Sequence, residues 1–276
     1  MPRRPGAFAS VPKHVTLSLN LPPEQRLVVI VAFIATCVVQ QLSKRIFRRK
    51  CPKFWASLDA NERQDLGVRC ATGAWGLLSS LWALGLLVVE ARRGPMGVEE
   101  RMYAPAGSYA AGGETLFSAA VGYFAWDVWY SVALYHLYGP PFLLHAVASF
   151  VAFGVPKLMP RGFLFYYGSV FLVWEMTAPF LGARTLLIKA KRTDGLAFKC
   201  VETIGFVLFM VIRFIFGVPA MVRYVADARE MYARGLAEPA IVYATFTLAA
   251  VLFPLMNCMW VSKMLKILFK SKKKSV

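Results

Sequence analysis

The sequence is short of charge, and of acid above all. Only 15 of its 276 residues are Asp or Glu, against 32 Lys or Arg, and charged residues make up 17%, where soluble domains carry about a quarter. With 58% hydrophobic residues and a mean hydropathy of +0.52, a disordered chain is excluded and an ordinary soluble domain fits poorly. There is no P-loop, G-x-G-x-x-G or G-x-S-x-G pattern and no internal repeat, so the common nucleotide-site and serine-hydrolase signatures are missing. Cys37, Cys51, Cys70, Cys200 and Cys258 form no C-x-x-C and no Cys/His spacing, so neither a metal nor any other cofactor is expected. Residues 1–26 are polar and proline-bearing and lack the apolar core of a cleavable signal. The chain also lacks an Asn-x-Ser/Thr sequon, which is compatible with an intracellular membrane.

What the chain does contain is long apolar runs. They lie at Leu27–Leu42, Val68–Val89, Glu114–Leu137, Pro141–Val155, Phe163–Leu181, Phe198–Val222 and Ala240–Val261. A crossing of the bilayer takes about 20 residues, so the connections are short and leave no room for a sizeable soluble domain. The expected fold is all-α, a polytopic transmembrane bundle of about seven spans. The tight Gly139-Pro140-Pro141 turn predicts that the third and fourth spans form a hairpin.

The surplus of cations orients this bundle. Nineteen of the 32 lie in three segments: Lys44 to Arg69, Arg184 to Lys199, and Lys263 to Lys274. With seven spans these fall on one side, so the positive-inside rule predicts a luminal N-terminus and a cytosolic C-terminus. The five cysteines then lie within spans or on the cytosolic side, where disulfides are not expected. The formal charge of +17 therefore belongs to membrane topology, and no nucleic-acid partner is expected. The tail Lys263–Val276 either attracts anionic lipid or serves as a solvated stop-transfer flank.

Ionisable groups inside spans are costly and face a partner or a cavity. Here they are Asp127 and His136 in the third span, His145 in the fourth, Glu175 in the fifth, and Glu202 and Arg213 in the sixth. Asp127 shares a helical face with Tyr123, Tyr130 and Ser131, whereas His136 is half a turn out of phase and near the membrane edge. Pro179 removes the hydrogen bond that the Glu175 carbonyl would accept, which predicts a kink with an acid beside a freed carbonyl. Glu202 and Arg213 share a face about 16 Å apart along the axis, too far to pair. Arg213 reads as a snorkelling or ion-pairing residue ahead of a ligand contact. His145 reads equally as a catalyst or as a hydrogen-bonded core histidine. Trp126, Trp129, Trp174, Tyr166 and Tyr167 read as packing or interface anchors.

Three segments carry a resemblance: Gly122-Tyr123-Phe124-Ala125-Trp126-Asp127, Pro140-Pro141-Phe142-Leu143-Leu144-His145, and Trp174-Glu175-Met176-Thr177-Ala178-Pro179-Phe180-Leu181 with Arg184. In this order and spacing the chain resembles the TLC-domain membrane proteins, the superfamily of ceramide synthases and other lipid-handling proteins of the endoplasmic reticulum. The likeness runs over residues 65–265. It implies a six-helix TLC-like domain there, preceded by residues 1–64 (luminal N-terminus, first span and basic loop) and followed by a basic cytosolic tail at 266–276.

The departures point to the non-synthase branch. Ala146 follows His145 where the family has a second histidine, and Trp174-Glu175 stands where ceramide synthases have a His-Asp pair. An amide-forming acyl transfer needs a base, and His145 is the remaining catalytic candidate. The resemblance thus implies a lipid-binding protein of lipid homeostasis, with Asp127, His145, Glu175, Pro179 and Arg184 as the site and Tyr123, Tyr130, Glu202 and Arg213 around it. The alternatives are an acyl-CoA-dependent N-acyltransferase with acyl-CoA as a partner, and a cargo or interaction protein. Lys273 and Lys274 resemble a dilysine retrieval signal, which implies the endoplasmic reticulum membrane and the coat machinery as a partner.

Overall fold

In the computed structural model the described residues are 21–103, 112–157, 165–236 and 254–262. They build a bundle of helices, with no strand element among them. Helix α1 (Pro23–Lys50) opens on a proline, whose missing N–H costs nothing in a first turn. It ends on Arg48, Arg49 and Lys50, which complement the negative helix terminus. The short α2 (Pro52–Ala56) leads to α3 (Ala60–Arg92), whose start is fixed by a capping box. The Glu62 N–H donates to Asp59 Oδ1 (2.8 Å), and the Asp59 N–H donates to Glu62 Oε2 (3.1 Å).

A one-turn helix, α4 (Val98–Met102), precedes α5 (Gly112–Ala133). The expected third span stops short of Leu137, because the chain breaks at Leu134 before the single turn α6 (Tyr135–Tyr138). Gly139, with φ of +68°, then reverses the chain into α7 (Pro140–Lys157). The predicted hairpin is thus formed, with α7 packed along α5.

The fifth run is helical from α8 (Phe165–Val173) through a 3₁₀ turn (Trp174–Thr177) to α9 (Ala178–Lys189), eight residues past its expected end. The sixth continues from α10 (Leu196–Met210) through a π-type segment (Val211–Phe216) into α11 (Gly217–Ala233). The seventh run is helical from residue 254, in a helix (α12) that extends to residue 262. The remainder of that run, residues 1–20 and the tail with Lys273 and Lys274 lie outside the described residues. Four stretches, Pro23–Lys50, Ala60–Arg92, Tyr166–Lys189 and Leu196–Ala233, are long and apolar enough to cross a membrane, and Pro140–Gly154 is a shorter apolar helix.

The core is aromatic. Tyr123 stacks on Trp75 (centroids 4.6 Å apart), and Phe124 stacks on Phe153 (5.2 Å). Helix α5 sits at the centre between α1, α3 and α7. The outside is apolar as well: Leu27, Ile30, Val31, Ile34, Val38 and Leu42 are exposed in a stripe along α1. Water would make such a surface a liability, and a bilayer makes it the proper boundary.

Polar ties gather at the two ends. At one, Asp65 accepts from the Tyr138 hydroxyl (2.7 Å) and pairs with Arg69 (3.1 Å) and Lys189 (3.6 Å). At the other, Lys157 pairs with Glu114 (3.1 Å), which also accepts from the Gln25 amide. Successive helices therefore alternate in direction. The segments Lys44–Arg69 and Arg184–Lys199, which the cation count placed together, share the first of these ends.

Candidate functional site

Local backbone chemistry shapes the wall of the site. Pro179 cannot donate to the Glu175 carbonyl, and the chain answers by tightening into the 3₁₀ turn, in which the Ala178 N–H takes that acceptor. The expected freed carbonyl at a kink is thus corrected: the oxygen is satisfied within the turn. The same tightening lets α3 approach closely at Gly76, where an added Cβ would stand 2.4 Å from the Glu175 carbonyl oxygen. Pro179 itself lies against Gly73 on that α3 side.

The turn, α3, α5, α7, α9, α10 and α12 enclose a chamber of about 310 Å³. Asp127, His145, Glu175, Arg184, Arg213 and Tyr123 line it, as do Arg69, Thr72 and Trp260. Separate elements thus bring together residues that sequence spacing could assign only to separate helices. Asp127, His145 and Glu175 are each partly exposed to the cavity and make no hydrogen bond or ion pair with another described residue. Pro179, Tyr130 and Glu202 do not line the chamber. Tyr130 packs on Trp126 and Trp129 (centroids 4.9 Å in each pair). Glu202 binds Arg184 Nε at 3.0 Å and so fixes a guanidinium that does line it. His136 is exposed, beside Asn61 at 3.5 Å.

Arg213 makes no salt bridge among the described residues, although Glu175 stands within electrostatic reach of it. Its Nη1 donates to Asn257 Oδ1 (2.9 Å), and its guanidinium lies over the rings of Trp174 (5.3 Å) and Phe209 (5.4 Å). Arg213 sits in the π-type segment, and Phe209, four residues before it, lines the same chamber. Arg69 is a wall residue that sequence reasoning assigned only to a basic loop edge. It is held by Asp65 and by the rings of Tyr138 (5.7 Å) and Phe142 (6.0 Å).

Sequence reasoning missed a second buried polar group entirely. Arg101 on α4 grips Asp227 on α11 with a two-pronged pair, Nε to Oδ2 at 2.6 Å and Nη2 to Oδ1 at 2.8 Å, and the Tyr167 hydroxyl donates to the same carboxylate. Those hydrogen bonds from Arg101 push its pKa up, so it stays charged despite its burial. Only a 126-residue separation in sequence hid this pair. The five cysteines are free, and no cluster suited to a metal ion occurs among the described residues.

Fold and site together define a polytopic helical membrane protein with a polar chamber inside an apolar bundle. The chain belongs to the TLC domain family, whose sequence pattern matches residues 65–266. It is similar to an uncharacterized TLC domain-containing protein of Schizosaccharomyces pombe, 30% identical over 153 residues, which cover 54% of this chain and 50% of the relative. The match thus spans half the length of that curated relative. No solved structure matches.

Proposed function

We propose that this protein binds a membrane lipid with its head in the chamber and acts in membrane lipid homeostasis in the endoplasmic reticulum. The observation that carries this reading is the confinement of Asp127, His145 and Glu175, none of them paired, to one cavity within the apolar bundle. Two carboxyl groups kept within the apolar bundle without a hydrogen-bond partner are a cost that a polar ligand offsets. Arg69 and Arg184 stand nearer the basic end of the bundle, where a phosphate or carboxylate of the ligand would meet them. Arg184 lies nine helical residues, about 14 Å, from Glu175, so the chamber offers cations at the mouth and acids below.

The test is lipid retention. Native mass spectrometry of the purified protein is expected to find a bound lipid, with occupancy reduced in Asp127→Asn. Unchanged retention in that variant would count against the site. His145 in the same wall favours one second reading, an acyl-CoA-dependent N-acyltransferase with His145 as base. Supplied with labelled acyl-CoA and a sphingoid base, the protein is expected to form no amide. Turnover that His145→Ala abolishes would replace the lipid-binding reading with the enzymatic one.

The cation distribution supports a cytosolic placement of the chamber mouth and the C-terminus, and the dilysine-like Lys273 and Lys274 fit that placement. A glycosylation sequon inserted near Gly107 is expected to be modified in microsomes. Modification of a sequon near Lys191 instead would invert the topology.

A further inference from the structure

A second cavity, of about 330 Å³, lies between α11 and α12. Its wall is apolar apart from Arg213 and Asn257. Arg213 belongs to the walls of both this cavity and the chamber, so its guanidinium stands between the two. The apolar cavities beside α1 and beside the start of α7 share no lining residue with the chamber. Of these cavities, the one at the α11–α12 seam alone borders the chamber.

Arg213 is equipped for a ligand at that junction. Nη1 donates to Asn257 and Nη2 reaches the Trp174 carbonyl at 3.5 Å, but Nε is buried with no partner. A guanidinium carries five donors in a rigid fork that suits a carboxylate or phosphate. Below it, Val218, Met221, Val222 and Val225 follow one another at helical spacing along α11, which makes a continuous apolar wall about 10 Å long. The volume is at the small end of the roughly 300–1,000 Å³ range of ligand sites, enough for one hydrocarbon chain and not for two.

We infer that this second cavity holds the hydrocarbon chain of a single-chain lipid whose anionic head, a carboxylate or a phosphate, sits at Arg213 in the chamber. The inference rests on the lipid-binding reading above and adds the class of lipid and the place of its chain. The seam also gives the chain a route to the bilayer, since Val218 and Val222 are exposed on the outside of α11.

The experiment uses the full chain in phosphatidylcholine nanodiscs with three photoreactive probes of equal chain length, each carrying a mid-chain diazirine. One is a fatty acid, one a lysophosphatidate, and one an uncharged monoacylglycerol. Peptide mapping after illumination is expected to place adducts on α11 between Val218 and Val225 or on Cys258. The fatty acid labelling alone identifies a carboxylate head, and the lysophosphatidate alone identifies a phosphate. The monoacylglycerol should label at least about tenfold less, the loss expected when a buried charged donor is left without its acceptor. Val225→Trp fills the cavity and should cut the labelling by about tenfold. Val218→Trp does so from the exposed edge and serves where the first variant does not fold.

Absence of adducts, adducts confined to the outer face of α1, or equal labelling by the uncharged probe would overturn the inference. Failure of this proposal alone appears as missing cavity adducts while Asp127→Asn still lowers lipid retention. Failure of the chamber reading alone appears as cavity adducts that persist while retention is unchanged in Asp127→Asn.

Discussion

Asp227→Ala is expected to destabilise the folded protein by about 3–5 kcal/mol, the cost of removing one partner from a buried ion pair. The side chains of Arg101 and Asp227 are only 8% and 6% exposed, so water does not replace the lost carboxylate. Arg101 would keep its charge and lose two short hydrogen bonds, and the Tyr167 hydroxyl would lose its acceptor. The pair also holds α4, whose Met102 is fully buried against Tyr167, Trp174 and Tyr224. Loosening α4 therefore reaches the Trp174 wall of the second cavity.

The measurement is unfolding in mixed micelles, read against the double variant Arg101→Met/Asp227→Leu. Removing both charges together should recover most of the loss, because no buried charge is then left unpaired. A loss below about 1 kcal/mol in the single variant would show that water already reaches the pair.

Gly122→Val is expected to be the most damaging substitution at a helix crossing. An added Cβ at Gly122 would stand 2.2 Å from the Val29 carbonyl oxygen and 2.9 Å from the Ala32 Cβ. The obstacle is backbone, which cannot swing aside, so α1 and α5 must separate along their whole contact. Small residues at crossings of transmembrane helices serve this close approach. The expected cost is at or above the upper end of the roughly 1–3 kcal/mol seen for overpacked cores.

Helix α1 otherwise packs on α3, and only Thr36 and Gln40 are fully buried along it. Its detachment should appear as new protease sensitivity between Lys50 and Ala60 and as a lower melting temperature in micelles. Gly85→Val is the control, because nothing lies within 4 Å of a Cβ added there. Equal behaviour of the two variants would remove close α1–α5 contact as an explanation for Gly122.

Much of the site was legible because misplaced polarity is conspicuous in an apolar sequence. Asp127, His145, Glu175 and Arg213 each interrupt a long hydrophobic run, and all four line one chamber. The helical phase of Asp127 with Tyr123 and the separation from His136 also survive in three dimensions, since Tyr123 lines the chamber and His136 is exposed. The expectation failed where the helix ceased to be regular: the 3₁₀ turn satisfied the Glu175 carbonyl that Pro179 was expected to free. Phase also misplaced Tyr130, which packs on Trp126 and Trp129 and does not line the chamber. Arg69 was hidden for a different reason: at a span's edge, a cation in the wall of a chamber and one in a loop look alike.

The sequence by itself determined the membrane, the helical class, the gathering of two cation-rich segments at one end and the few polar positions worth following. These depend on composition and on the length of apolar runs, which the bilayer reads residue by residue whatever the partners. The tertiary structure alone decided that residues from separate helices share a chamber, that Arg101 closes on Asp227, and that Arg213 stands between a polar and an apolar cavity. Those are facts of contact between segments far apart in the chain. They depend on how closely helices approach at glycines such as Gly76 and Gly122 and on where a helix changes its pitch, and neither is written in any one segment.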